Sequence, residues 1–155
     1  MHRSCVRLLQ VLIAAASLTP GLALAWNALD DNFFYVQTIY WDLLNRAPTR
    51  DELYGGFDYL EACGSDTSCQ RARQLYMAQS VFDSPEHYNA QGLIPGHPQF
   101  QEVYVWRCYT GFLKRQPEST GFNFWLTYLQ TTNNYGGVIN GFLNSTEYRG
   151  HFGDP

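Results

Sequence analysis

Charge is scarce in this chain. Asp, Glu, Lys and Arg make up 15% of its 155 residues, against about 25% in ordinary globular proteins. No run of Lys or Arg occurs, and the formal charge is -4, so nothing could neutralise a phosphate backbone and nucleic acid is excluded as a partner. Also missing are a phosphate-cradling glycine loop, a paired-histidine zinc motif and a nucleophile elbow. His2, His87, His97 and His151 are scattered without metal-ligand spacing, and no loop of alternating acids suits calcium, so neither metal nor cofactor is expected. The apolar share, 45%, is ordinary, which excludes intrinsic disorder. The length fits one domain, or two small repeats sharing a core.

The first 25 residues read as an address. Arg3 and Arg7 precede an apolar stretch from Leu8 to Leu18, and Pro20 and Ala23-Leu24-Ala25 follow, the pattern of a cleavable secretory signal peptide over residues 1–25. The stretch is far shorter than the roughly 20 apolar residues a membrane span needs, and no later stretch reaches that length. The expected mature chain starts near Trp26. Losing Arg3 and Arg7 takes its formal charge from -4 to -6. Every Phe, Trp and Tyr lies after the signal. Secretion or the periplasm is the expected location.

Cysteine use agrees with export. Cys63 and Cys69 bracket the turn-like Gly64-Ser65-Asp66-Thr67-Ser68, so a local disulfide is expected there. Cys108 falls on one helical face with Val105, Tyr109, Phe112 and Leu113 and reads as a buried free thiol, the alternative being an intermolecular bridge.

Hydrophobic periodicity predicts helices. Phe33, Val36, Ile39, Tyr40, Leu43 and Leu44 recur at spacings of three and four between Asp31 and Arg46, one face of a helix that Pro48 stops. Thr49 with Glu52 is a capping box that opens a second helix, ending near Cys63. A third pattern, from Ala72 to Phe82, stops at Ser84-Pro85-Glu86. The second half repeats the order. Shifting by 69 residues superposes Val36 on Val105, Tyr40 on Tyr109, Leu44 on Leu113, Arg46 on Arg115, Pro48 on Pro117, Tyr59 on Tyr128 and Leu60 on Leu129. Ser84 and Glu86 meet Ser145 and Glu147 at a shift of 61, which leaves eight extra residues in the first half, at the Cys63 to Cys69 loop. The expected architecture is all-α: two tandem three-helix repeats, residues 26–88 and 99–155, joined by a breaker-rich linker over 89–98 and packed on each other.

Arg115-Gln116-Pro117-Glu118-Ser119-Thr120-Gly121-Phe122-Asn123-Phe124-Trp125, with Gly141-Phe142-Leu143-Asn144-Ser145-Thr146-Glu147-Tyr148 further on, resembles the bacterial family catalogued as domain of unknown function 4214. The first half keeps Leu44, Arg46, Pro48, Leu53, Ser84, Glu86 and Tyr88, but has Thr49, Glu52 and Gly56 where that family favours acid, Gly and Trp. The resemblance implies all-helical modules, often in tandem, in exported or surface proteins of bacteria. It brings no catalytic residue set.

Because Arg46 and Arg115 each end a helix and Glu86 and Glu147 each follow the third, each pair is expected to close its repeat through a charge-assisted hydrogen bond, the alternative being anion binding by the arginines. Gly121 is expected to permit close packing and Trp125 to lie on a core stripe. Acids such as Asp42, Asp51, Glu52 and Asp58 give no preferred catalytic pair. Trp41, Trp106 and Tyr54 fall off the core faces. The expected function is an exported, non-catalytic helical module that binds or scaffolds a protein or polysaccharide of the envelope. The alternative is a carbohydrate-binding or carbohydrate-active protein.

Overall fold

The computed structural model describes residues 27–92 and 94–153; the expected signal peptide lies outside the described residues. Among them no strand occurs, and a 3-10 turn (Ala28–Asp30) is followed by eight helices: α1 (Asn32–Leu44), α2 (Arg50–Glu61), α3 (Thr67–Phe82), α4 (Pro85–Gln91), α5 (Phe100–Phe112), α6 (Ser119–Thr132), α7 (Tyr135–Leu143) and α8 (Thr146–Gly150). No described helix is long and apolar enough to cross a membrane.

Local chemistry sets most helix starts. Asp31, Asp66, Ser84, Asn134 and Ser145 accept hydrogen bonds from the first free backbone N–H groups of α1, α3, α4, α7 and α8, and Thr49 with Glu52 forms the capping box of α2, each satisfying donors a helix cannot satisfy internally. Helix ends are set the same way. Asn45, Asn133 and Gly92 take the left-handed conformation that closes α1, α6 and α4, a conformation Asn and Gly reach more readily than other residues. Helix α1 thus ends before Arg46, which lies outside it.

Each half holds four helices, not three. The expected stop at Ser84-Pro85 is a start: Pro85 occupies the first helical position, where its missing N–H costs nothing, and the Ser84 side chain accepts from His87 N–H. Ser145 does the same for α8 through Tyr148 N–H. Helix α4 continues through Asn89–Gln91, into the segment read as linker.

Helices α1, α3, α5 and α7 form the centre, with α1 packed on α5 and α3 on α7. Val36, Ile39, Ala78, Phe82, Val105, Cys108, Phe112, Val138 and Ile139 are buried there. Helices α2 and α6 lie outside and bury one residue apiece, Leu60 and Leu129, which are 69 positions apart. The two ends of the described chain meet: Asn27 Nδ2 donates to the Arg149 carbonyl at 3.0 Å, and Ala28 N to the Phe152 carbonyl at 3.1 Å. Cys63 and Cys69 are disulfide-bonded, Cα to Cα 5.6 Å, and Cys69 lies in the first turn of α3, so the bridge ties the end of α2 to the start of α3.

Candidate functional site

The recurrent residues gather at two clasps. In the first half the Arg46 guanidinium makes two forks: Nε and Nη2 donate to Glu86 at 2.6 and 2.8 Å, and Nη1 and Nη2 donate to Glu52, both at 2.8 Å. Its plane lies over the Tyr40 ring, 5.2 Å from the centroid. In the second half Arg115 Nε and Nη2 donate to Glu147 at 2.5 and 2.8 Å, and Nη1 donates to Glu118 at 2.5 Å. The ring beneath it is Tyr109, at 5.1 Å. Pro48 and Pro117 immediately precede the N-caps Thr49 and Glu118, and Ser84 and Ser145 cap the short helices that carry Glu86 and Glu147. Each clasp therefore joins the exit of one helix to the entries of two others.

These hydrogen bonds favour the ionised carboxylates. Glu86, Glu118 and Glu147 are held below the usual carboxylate value, and Glu52 is lowered to about 2, chiefly by Arg46. Arg46 thus has both guanidinium edges engaged, and Arg115 has one edge on Glu147 and Nη1 on Glu118, which leaves little of either guanidinium for an outside anion.

Gly121 and Trp125 serve packing. A Cβ on Gly121 would collide with the Glu118 carboxylate and the Tyr109 hydroxyl, so the glycine leaves room for Glu118 to fold back towards Arg115. The Trp125 ring lies against Gly141 and Phe142 at the margin of the core. The hollow these residues border measures about 150 Å³, below the roughly 300 Å³ at which ligand pockets begin.

A larger groove lies where the halves meet. About 350 Å³ in volume, it is bordered by Trp41, Asp42 and Asn45 from the end of α1, His87 and Gln91 from α4, and Arg107, Thr110, Gly111 and Lys114 from α5 and its exit. Helix α5 crosses α1 closely here: a Cβ on Gly111 would lie 3.1 Å from Leu43 Cδ2. Trp41 is 53% exposed. Lys114, the only lysine in the sequence, pairs with Asp42 at 3.0 Å, and the Tyr148 hydroxyl donates to Asp42 at 2.7 Å. Burial nonetheless raises the Asp42 carboxyl above its ordinary value, against the pull of Lys114 and Tyr148.

His87 is almost wholly buried, and its Nδ1 lies 2.8 Å from the Phe82 carbonyl. A carbonyl only accepts, so Nδ1 carries the proton and Nε2 of the neutral ring is an acceptor. Burial lowers the His87 pKa, which keeps that ring neutral. Among the described residues Asp42 is the one carboxylate bordering this groove, and glycosidase-type chemistry calls for a pair.

Arg107 also borders a second groove of about 370 Å³, with Gln99, Glu102, Val103, Trp106 and Phe122. Its Nη2 donates to the Gln91 carbonyl at 2.8 Å, while its Nε, and Oε2 of Glu102, are buried with no hydrogen-bond partner among the described residues. In sequence, Trp41 and Trp106 were visible as aromatics off the core faces; the polar residues around them gave no signal, because α1, α4 and α5 bring them together only on folding.

Residues 78–152 match the model of the family described as Domain of unknown function (DUF4214). It is the family that the motif residues of the second half resemble. The DUF4214 match starts inside α3, so it takes in α4 and the clasp residue Glu86 as well as α5 to α8. No curated protein matches the sequence.

Proposed function

We propose that this chain is an exported, non-catalytic binding module of the bacterial envelope or the cell exterior, built from two diverged copies of one helical unit, and that its partner, a protein or a polysaccharide, docks at the groove between the halves. The observation that carries the reading is Trp41: an indole half open to solvent beside a groove of ligand-pocket size, ringed by polar groups. The Cys63–Cys69 disulfide supports an oxidising compartment. The single carboxylate of the groove favours binding over hydrolysis. A carbohydrate ligand is the second reading, favoured by the mixture of donors, acceptors and indole surface.

The test is the intrinsic tryptophan fluorescence of residues 26–155, disulfide intact, titrated with envelope polysaccharides and with fractionated envelope protein. Saturable change with either class, lost in Trp41→Ala, is the expected result. A flat titration with both would overturn the reading.

A further inference from the structure

The two grooves share one face of α5. Gln99, Glu102, Val103, Trp106, Arg107, Thr110, Gly111 and Lys114 recur at spacings of three and four, so they form a continuous stripe along the helix, opposite the buried Tyr104, Val105, Cys108 and Phe112. At 1.5 Å per residue, α5 gives that stripe a length of about 20 Å. Arg107 stands at its middle, bordering both grooves. Trp41 stands beside one groove and Trp106, 38% exposed, beside the other.

We propose that this stripe is a binding site for an uncharged carbohydrate chain laid along α5, with Trp41 and Trp106 as stacking platforms and Arg107 between them. The inference rests on the binding-module reading above and names its ligand class. The lining excludes the other classes on chemical grounds. Asp42 and Glu102 set acceptors of negative charge beside the cations Lys114 and Arg107, so the surface balances and does not select an anion. Polar groups alternate with the indoles, so it is no apolar groove for an amphipathic helix. Sugar hydroxyls both donate and accept, which matches Asn45, Gln91, Thr110 and the Lys114 ammonium at the groove. The C–H face of a pyranose is apolar and flat enough to cover an indole.

The experiment titrates residues 26–155 with short cello-, xylo-, manno- and chito-oligosaccharides, read by tryptophan fluorescence and by calorimetry. Expected are saturable binding of at least one series, affinity that rises with chain length, a loss of roughly tenfold or more in Trp41→Ala and a smaller loss in Trp106→Ala, each equal to the parent in circular dichroism and thermal midpoint. Phe124→Ala, an exposed aromatic away from both grooves, keeps the parent affinity. An equal loss in Phe124→Ala, or affinity that does not grow with length, overturns the inference. So does binding of an envelope protein with no oligosaccharide bound, although the broader binding reading then stands. Silence towards both ligand classes removes the two together.

Discussion

The two clasps hold an arginine between the same kinds of partner but draw one carboxylate from different places. Arg46 takes it from Glu52, at the third position of α2, with Thr49 as the cap; Arg115 takes it from Glu118, the cap residue of α6, with Gly121 at the third position. Residues 49 and 52 correspond to 118 and 121 at the 69-residue shift. The acid stands at the third helical position in one half and at the cap in the other, and Gly121 leaves the room that Glu118 occupies. A second compensation sits one turn further on. Trp125 lies against Gly141 of α7, while its counterpart is Gly56, where a Cβ would stand 2.9 Å from Met77 Cε and 3.0 Å from Val36 Cγ2, so α2 has no room for a side chain there. The first half, which departs from the family pattern in sequence, thus keeps the closure by other residues.

Transplanting one arrangement into the other breaks the comparison most directly. Gly121→Glu places a second carboxylate where Glu118 and the Tyr109 hydroxyl already stand, and should cost about 2–3 kcal/mol in denaturant unfolding. Adding Glu118→Thr rebuilds the first-half order and should recover most of that loss. A double variant as unstable as Gly121→Glu alone would show that the halves are not interchangeable here.

The disulfide belongs to the first half only. There α3 has 16 residues against 9 in α7, and the bridge ties its added first turn to α2. Replacing Cys63 and Cys69 by Ser should cost about 2 kcal/mol, the chain-entropy scale for so short a loop. An unchanged midpoint would mean that the Asp66 cap alone holds this connection.

Removing the arginines should then rank the clasps. Arg46→Ala gives up two forks and Arg115→Ala one fork and a single bond, so the expected losses are about 2 and about 1 kcal/mol, small because both sites are partly solvated. The reverse order in thermal unfolding would place the weight of the fold on the second clasp.

Acid reads both clasps at once. All four carboxylates are lowered in the fold, Glu52 to about 2, so their contribution is whole above the ordinary value of 4.5 and is lost as pH falls through the folded values. Asp42 and Asp83, raised by burial, act in the opposite sense: both protonate early in the folded chain, which favours the fold as pH falls. The thermal midpoint should decline between about pH 4.5 and 2, and less steeply in the Arg46→Ala, Arg115→Ala double variant. Equal slopes would detach the clasps from acid stability.

Legibility followed range. Helix faces were readable because a 3.6-residue period needs only neighbours: Val36, Ile39 and Leu43 are buried as their spacing implies. The cysteine pair was readable because its members stand six positions apart. The arginine and glutamate pairs were readable only because the sequence says them twice. Helix α4 escapes a sequence reading because Ser84-Pro85 can stop a helix as well as open one, and α8 because its five residues are too few to show a helical period.

The sequence by itself determined an all-helical chain, its caps, its local bridge and the motif residues it has in common with DUF4214, since each of these is fixed by residues close along the chain or repeated in it. Only the tertiary structure decided that Gly121 serves the Glu118 carboxylate, and that Trp41, His87, Arg107 and Lys114 border one groove. Those residues come from three separate elements, and packing of α1 and α4 against α5, which buries apolar faces without regard to the polar residues left at the rim, is what sets them side by side.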